Sequence, residues 1–289
     1  MAMAVFHNYD QKALDGEFNN RAKVTNLGHK ALQSDGSDRA KAQFSTRLDV
    51  PYGASSAELV DIYLPDSEGP HPIHIFFHGG YWVSNSKDDF GFVALPLVPR
   101  GVIVVVVEYT LIPTVTMAKL IHQCRAAVAW TWQNARDFGG DRNNITMSGH
   151  SAGGQIVAMM MATDWAALDA GLPADMIRGG CGISGIYDLE PVQLSYLNND
   201  LGLTPEVARA FSPNLLEPRV HAPLLLPVGG DEGPEYIRQS EEMASAWVVK
   251  GFNARAWIMP GHNHFDTINQ FLDTESDLSC AVLSQIGLE

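Results

Sequence analysis

Gly149-His150-Ser151-Ala152-Gly153 fits the pattern G-x-S-x-G. It lies between a β-favouring run, Ile145-Thr146-Met147, and an apolar stretch, Gln155 to Ala162 (QIVAMMMA), that reads as a buried helix. A strand that turns sharply into a helix leaves no room for side chains beside the turn, which is what Gly149 and Gly153 supply. Ser151 then stands at the tip, beside the unpaired amides of the new helix's first turn. Glycines around a serine also occur in ordinary loops. The reading gains weight from His78-Gly79-Gly80-Tyr81-Trp82, which follows the apolar run Ile73 to Phe77 well ahead of Ser151. An H-G-G turn in that order is where a hydrolase built on such a serine keeps a second set of oxyanion donors.

Working outward, the chain alternates strand-like and helix-like blocks. Phe44 to Val50 and Ala57 to Leu64 form an expected antiparallel opening pair, and Ile73 to Phe77 and Val102 to Val107 are continuous apolar runs suited to strands covered on both faces. Met117 to Phe138 has helical spacing and stops at Gly139-Gly140. Gly180 to Ile183, Leu224 to Val228 and Ala254 to Met259 follow as further strands. This order predicts an α/β chain with a mostly parallel central sheet and helices on both faces. Residues 1 to 40, polar and rich in Gly, Asn and Asp around a short helical piece, are expected to wrap the outside. Residues 187 to 218, with four prolines, are expected to form short helices in a small cap insertion. All 289 residues are read as a single domain.

Composition narrows the function classes. With 46% hydrophobic and 18% charged residues the chain can bury a substantial core. A net charge of -14, with no run of Lys or Arg, opposes a nucleic acid or anionic membrane partner. The three cysteines, Cys124, Cys181 and Cys280, form neither a disulfide framework nor a C-x-x-C pair, and no membrane-length apolar run or leader-like N-terminus is present, so a cytoplasmic protein is expected. Homo-oligomerisation is left open.

A serine hydroxyl needs a base within hydrogen-bond reach, and the base needs an orienting carboxylate. The strand Leu224 to Val228 runs through Gly229-Gly230 to Asp231-Glu232, and the strand Ala254 to Met259 ends at Pro260-Gly261-His262-Asn263-His264, which makes these the acid and histidine candidates. A different chemistry competes for the same residues. His262 to Asp266 spells H-x-H-x-D, a spacing used by two-metal hydrolases, and His71, His74 and His78 lie upstream. Against it, a strand would point His71 and His74 to opposite faces, and no further His, Cys or Asp cluster completes a coordination sphere. A non-catalytic binding protein on a hydrolase scaffold is the other alternative, opposed by the retention of serine, histidine and oxyanion glycines together.

Taken together, H-G-G-Y-W at 78 to 82, Glu108-Tyr109-Thr110-Leu111, G-H-S-A-G-G at 149 to 154, Ser184 to Leu189, Glu232 to Tyr236 with Arg238-Gln239-Ser240, and Asn263-His264-Phe265-Asp266 resemble the arylformamidase (kynurenine formamidase) branch of the α/β-hydrolase fold. The similarity runs from about Leu14 to the C-terminus and includes Glu17-Phe18-Asn19-Asn20-Arg21. The resemblance implies a cofactor-free serine hydrolase with Ser151 as nucleophile, His264 as general base and no metal. Its substrate would be a small aromatic amide, such as an aryl formamide, or a short-acyl ester, and a general carboxylesterase remains the alternative. His264 is preferred to His262 because it matches the family's H-F-D signature. The family's acid is usually aspartate, and its position here holds Glu232, with Asp231 beside it as the alternative. The resemblance also assigns the oxyanion hole to the amides of Gly80, Tyr81 and Ala152, and leaves His78 to brace the turn. Trp82, Tyr187, Phe265 and Arg238 are each open between a structural role and substrate contact.

Overall fold

The structure, a computed structural model, describes residues 3–24 and 28–288. Eight strands form one sheet: β1 (Ser45–Pro51), β2 (Leu59–Leu64), β3 (His71–Phe77), β4 (Ile103–Val107), β5 (Gly140–His150), β6 (Ile177–Ile183), β7 (Leu224–Gly229) and β8 (Ala254–Met259). They lie in the order β1-β2-β4-β3-β5-β6-β7-β8. β1 to β2 and β2 to β4 are antiparallel, and the remaining pairs are parallel. This is the α/β-hydrolase arrangement, and the strand blocks read from the sequence all appear in it.

The continuous apolar runs are explained by cover on both faces. Along β3, Ile73, Ile75 and Phe77 join one core cluster while Phe76 joins the other. β4 divides in the same way, with Ile103, Val105 and Val107 on one side and Val104 and Val106 on the other. One polar layer interrupts the second face. His74 stands beside Thr146 in the β3–β5 register, its Nδ1 2.8 Å from Thr146 Oγ1 and its Nε2 2.7 Å from Ser148 Oγ.

The helical reading of Met117 to Phe138 divides at Asn134: the α-helix is Met117–Asn134, and a 3₁₀ turn, Ala135–Phe138, runs on to a left-handed Gly139. Residues 187 to 218 contain the short helices Glu190–Leu194, Asn198–Leu201, Pro205–Ala210 and Pro213–Leu215. The N-terminal region departs from expectation. It holds Gln11–Phe18, a 3₁₀ turn Asn20–Lys23, and a fifteen-residue helix, His29–Gln43, that polar composition concealed; residues 1–2 and 25–27 of the 1 to 40 segment lie outside the described residues. The inner face of that helix is small or polar (His29, Gln33, Gly36, Ser37, Ala40), so no apolar period marks it. Gly36 is the contact point, where a Cβ would come within 2.8 Å of Phe92 Cβ.

His74 carries a test. Burial depresses its pKa from 6.5 to about 3. Between those values the unfolded chain holds one more proton than the folded one, so stability falls as pH drops, by about 1.4 kcal/mol per pH unit. Across urea unfolding from pH 6 to pH 4.5, the pH slope of stability should be shallower in His74→Gln than in the wild type by up to about one proton.

Candidate active site

Ser151 closes β5 and opens the helix Ala152–Met161 with φ 57 and ψ -118, a conformation that costs a non-glycine residue about 1 to 3 kcal/mol. The flanking glycines are there for clearance. A Cβ on Gly149 would lie 2.3 Å from Gly153 O, and one on Gly153 would lie 2.0 Å from Phe77 O. The Ser151 amide donates to Ile183 O at 2.8 Å, which ties the turn to the end of β6.

Because β3 and β5 pair with Phe77 opposite Gly149, the turn after β3 falls against this serine. A Cβ on Gly79 would sit 2.7 Å from His150 O and 3.0 Å from Ser151 Cβ. Gly80, Tyr81 and Trp82 then follow at φ 116, 50 and 61. Val83 and Ser84 donate their amides to Gly80 O, whereas the amides of Gly80, Tyr81 and Ala152 have no hydrogen-bond partner among the described residues. These unspent donors lie on both sides of the serine. His78 is buried and bridges Gly79 O at 2.8 Å and the Glu108 carboxylate at 3.2 Å. Trp82 is fully buried and donates from Nε1 to Gln155 Oε1, a core residue without exposure to the cavity.

Parallel pairing of β7 and β8, with Gly229 opposite Met259, brings the loops that follow them together. His264 Nδ1 donates to Glu232 Oε2 at 2.6 Å. Since a carboxylate only accepts, this leaves the lone pair on Nε2. Glu232 is buried, and its other oxygen accepts from Ser184 Oγ at 2.5 Å and from the Gly229 amide at 2.6 Å. A buried carboxylate with three donors is held in one orientation. Asp231 is exposed, and its side chain makes no hydrogen bond to His264. The other members of the H-x-H-x-D run go elsewhere: His262 to Pro260 O and the Gln270 side chain, and Asp266 to the Asn263 side chain.

Ser151 and His264 share a cavity of about 320 Å³. Phe18, Tyr81, Phe90, Tyr196 and Phe265 give it aromatic walls, and Arg21 and Lys30 add two cations. His150 also lines it. Its Nε2 donates to His264 O at 2.8 Å, and burial, with the neighbouring His264 second, holds its pKa well below the ordinary histidine value. Of the residues left open by the sequence, Phe265 reaches the cavity and Tyr187 does not: Tyr187 is buried, with its hydroxyl donating to Gly182 O at 2.7 Å. Arg238 is engaged by Glu235, Asp188 and Glu242.

Several contributors escaped sequence reasoning. Ser184, left-handed at φ 49, lies within a stretch singled out only for its resemblance. Phe18, Asn20 and Arg21 belong to a segment expected on the outside, yet they form a wall of the cavity. Their only signal was the resemblance at Glu17 to Arg21.

A serine on a strained strand-to-helix turn, a histidine oriented by a buried carboxylate and unpaired amides on the two turns that meet at the serine fit a serine hydrolase of the α/β-hydrolase fold. Comparison with known proteins narrows the class. A kynurenine formamidase from Danio rerio is 36% identical over 265 residues, covering 90% of this chain and 88% of that protein. One from Salmo salar is 34% identical over 90% of this chain and 88% of its own length. A family model described as BD-FAE matches residues 60–178. A crystal structure from Silicibacter sp. tm1040, described as that of a candidate thioesterase, superposes with a TM-score of 0.81 at 28% identity, covering 92% of this chain and 97% of that one. The chain belongs to the kynurenine formamidase family, and it is a serine hydrolase of the arylformamidase and esterase type.

Two substitutions test the acid. Glu232→Gln should lower kcat by on the order of 10³-fold, because the amide no longer selects the required histidine tautomer, while Asp231→Asn stays within about twofold of wild type. Ser184→Ala removes one donor from a charged acceptor and should cost about tenfold in kcat, read by steady-state kinetics on an aryl ester.

Proposed function

We propose that this protein hydrolyses aryl formamides of the N-formylkynurenine class through a formyl-enzyme on Ser151. The observation that carries the reading is the Ser151, His264 and Glu232 constellation opening on an aromatic-walled cavity with two cations, in a chain whose kynurenine formamidase relatives match it over nine-tenths of its length. His264 Nε2 takes the Ser151 proton as Oγ attacks the formyl carbon. The negative charge arriving on the carbonyl oxygen is met by the amides of Gly80, Tyr81 and Ala152, each worth about 3 kcal/mol in the transition state. The imidazolium returns its proton to the anilide nitrogen, the C–N bond breaks and the arylamine leaves. Water, deprotonated by the same histidine, attacks the formyl ester and releases formate. No step calls for a cofactor.

An N-aryl amide is a reasonable target for such a site because its nitrogen lone pair is partly drawn into the ring, which weakens amide resonance. A flat aryl group suits walls made by Phe18, Phe90 and Phe265. Neither Arg21 nor Lys30 has an ion-pair partner among the described residues, and both would favour a carboxylate on the far side of the ring. The compartment we infer is the cytoplasm, supported by three free thiols at Cys124, Cys181 and Cys280. No described helix is long and apolar enough to cross a membrane.

The test is kcat/KM on N-formylkynurenine beside phenyl acetate, with Ser151→Ala as blank. Turnover of the formamide at or above the ester's efficiency is expected, with no turnover in the variant. Hydrolysis of the ester alone would make the protein an esterase, and full activity in Ser151→Ala would overturn the mechanism. Arg21→Gln should raise KM about fivefold for N-formylkynurenine and leave neutral N-formylaniline unchanged, a difference of about 1 kcal/mol.

A further inference from the structure

The segment Glu17–Lys23 touches three parts of the site at once. Asn20 is buried, and its Nδ2 donates to Tyr81 Oη at 2.9 Å and to Tyr236 Oη at 2.7 Å. Tyr81 Oη donates to Phe18 O at 2.7 Å, so in the 2.8 Å contact between the two hydroxyls Tyr236 is the donor. Every hydrogen in this small network is therefore committed. Tyr236 in turn packs its ring on His264, with centroids 4.8 Å apart. Three residues away, Lys23 Nζ donates to the backbone oxygen of Glu232 at 2.7 Å and to that of Glu17 at 2.7 Å. The Glu17 carboxylate accepts the Glu235 amide at 3.2 Å, at the start of the helix Pro234–Val249.

What these contacts hold is strained or lies outside the sheet. Tyr81 has φ 50, a conformation an unsupported tyrosine leaves readily, and its amide is one of the unspent donors beside Ser151. Such a conformation persists only where the surroundings over-determine it, and for Tyr81 the surroundings at the hydroxyl end come from Phe18, Asn20 and Tyr236. His264 and Glu232 sit on loops after β7 and β8, which regular sheet hydrogen bonds do not reach. Burial pushes the Tyr81 and Tyr236 hydroxyls far above their ordinary pKa and lowers that of Lys23. The two phenols are consequently neutral donors and acceptors across the working pH range.

We infer that Glu17–Lys23 is a positioning element of the catalytic site, in which Asn20 sets the Tyr81 oxyanion turn and the His264 ring through the two tyrosine hydroxyls, and Lys23 sets the Glu232 loop. The inference rests on the site reading above, though not on the formamide being the substrate. A misplacement of about 1 Å in an oxyanion donor or a base costs up to 10²-fold in rate without touching the substrate's ground-state binding.

Phenyl acetate kinetics and the affinity of an aryl trifluoromethyl ketone, which forms a tetrahedral adduct on the serine, provide the test. Asn20→Ala should lower kcat about tenfold with KM unchanged and should weaken the ketone by the same factor. Tyr236→Phe, which removes one hydroxyl and keeps the ring, should lower both about threefold. It also decides the matter if Asn20→Ala does not fold. Lys23→Met should lower kcat about fivefold. Variants that melt earlier but keep kcat and ketone affinity within twofold of wild type would overturn the inference and leave the segment a structural wrapping. A rise in KM at constant kcat would overturn it too, by limiting Asn20 to substrate binding. Activity lost in wild type and variants alike, or retained in Ser151→Ala, would instead strike the site reading itself.

Discussion

The site depends on a contact between backbones. Phe77 O, Gly153 and Gly149 meet so closely that a single Cβ on either glycine would come within 2.3 Å of a backbone atom. That contact lets the strand ending at His150 reverse into a helix within one residue and leaves Ser151 at φ 57 on the crest. Parallel pairing of β3 and β5 does the rest, since it brings the turn that follows Phe77 alongside the same crest. Gly79 is therefore constrained from the opposite side, against His150 O and Ser151 Cβ. Ser151 and the turn that carries Gly80 and Tyr81 are positioned by sheet register, and a one-residue slip of β3 against β5 would separate them.

Glu232 and His264, the proposed acid and base, are held by a different means. They follow adjacent parallel strands, but each lies several residues into a loop, and their orientation comes from hydrogen bonds. Glu232 reaches back three residues to the Gly229 amide with one oxygen while the other takes His264 Nδ1. A Cβ on Gly229 would lie 2.2 Å from His262 O, so the two loops are in backbone contact there as well. The longer arm of glutamate makes this possible: the same carboxylate spans Gly229, Ser184 and His264 without the backbone having to approach the imidazole. The loop backbone is tied by the Gly230 amide to Met259 O at 2.8 Å and by the Asp231 amide to His262 O at 3.0 Å, and Lys23 Nζ takes the Glu232 carbonyl.

Those two modes of support determine what could be read from the sequence. Glycine is required where backbones touch, so G-H-S-A-G and H-G-G mark the turn at Ser151 and the turn packed against it visibly, and buried parallel strands such as Ile103–Val107 announce themselves as unbroken apolar runs. Hydrogen-bonded support leaves no comparable trace. Asp231 and Glu232 are neighbours of the same charge, and only the course of the turn after Gly229 decides which one faces His264. Ser184 and Asn20 make their contacts through single polar atoms in segments without periodicity, and the buried spacing of the helix that carries Tyr236 does not reveal what its hydroxyl meets. The helix His29–Gln43 was hidden for a related reason, because its inner face is polar and small where a helix packing on a core would be apolar.

Charge gives the proposed substrate class its last constraint. A chain of net charge -14 repels anions at long range, yet the cavity carries Arg21 and Lys30. The two facts are compatible if the substrate is a zwitterion. An aryl formamide on an amino-acid side chain has no net charge, so the acidic surface costs it nothing on approach, and screening confines the remaining field to about 8 Å at physiological salt. Once inside, its ring would lie among walls that include Phe18 and Phe265, with Arg21 and Lys30 on the same cavity lining to meet its carboxylate. A simple anionic ester would meet the same cations only after paying the long-range repulsion, and a neutral aryl ester would leave them unused. For the substrate class proposed, an acidic exterior and a cavity wall holding Arg21 and Lys30 beside Asp89 would suit a molecule that is charged in its parts and neutral as a whole.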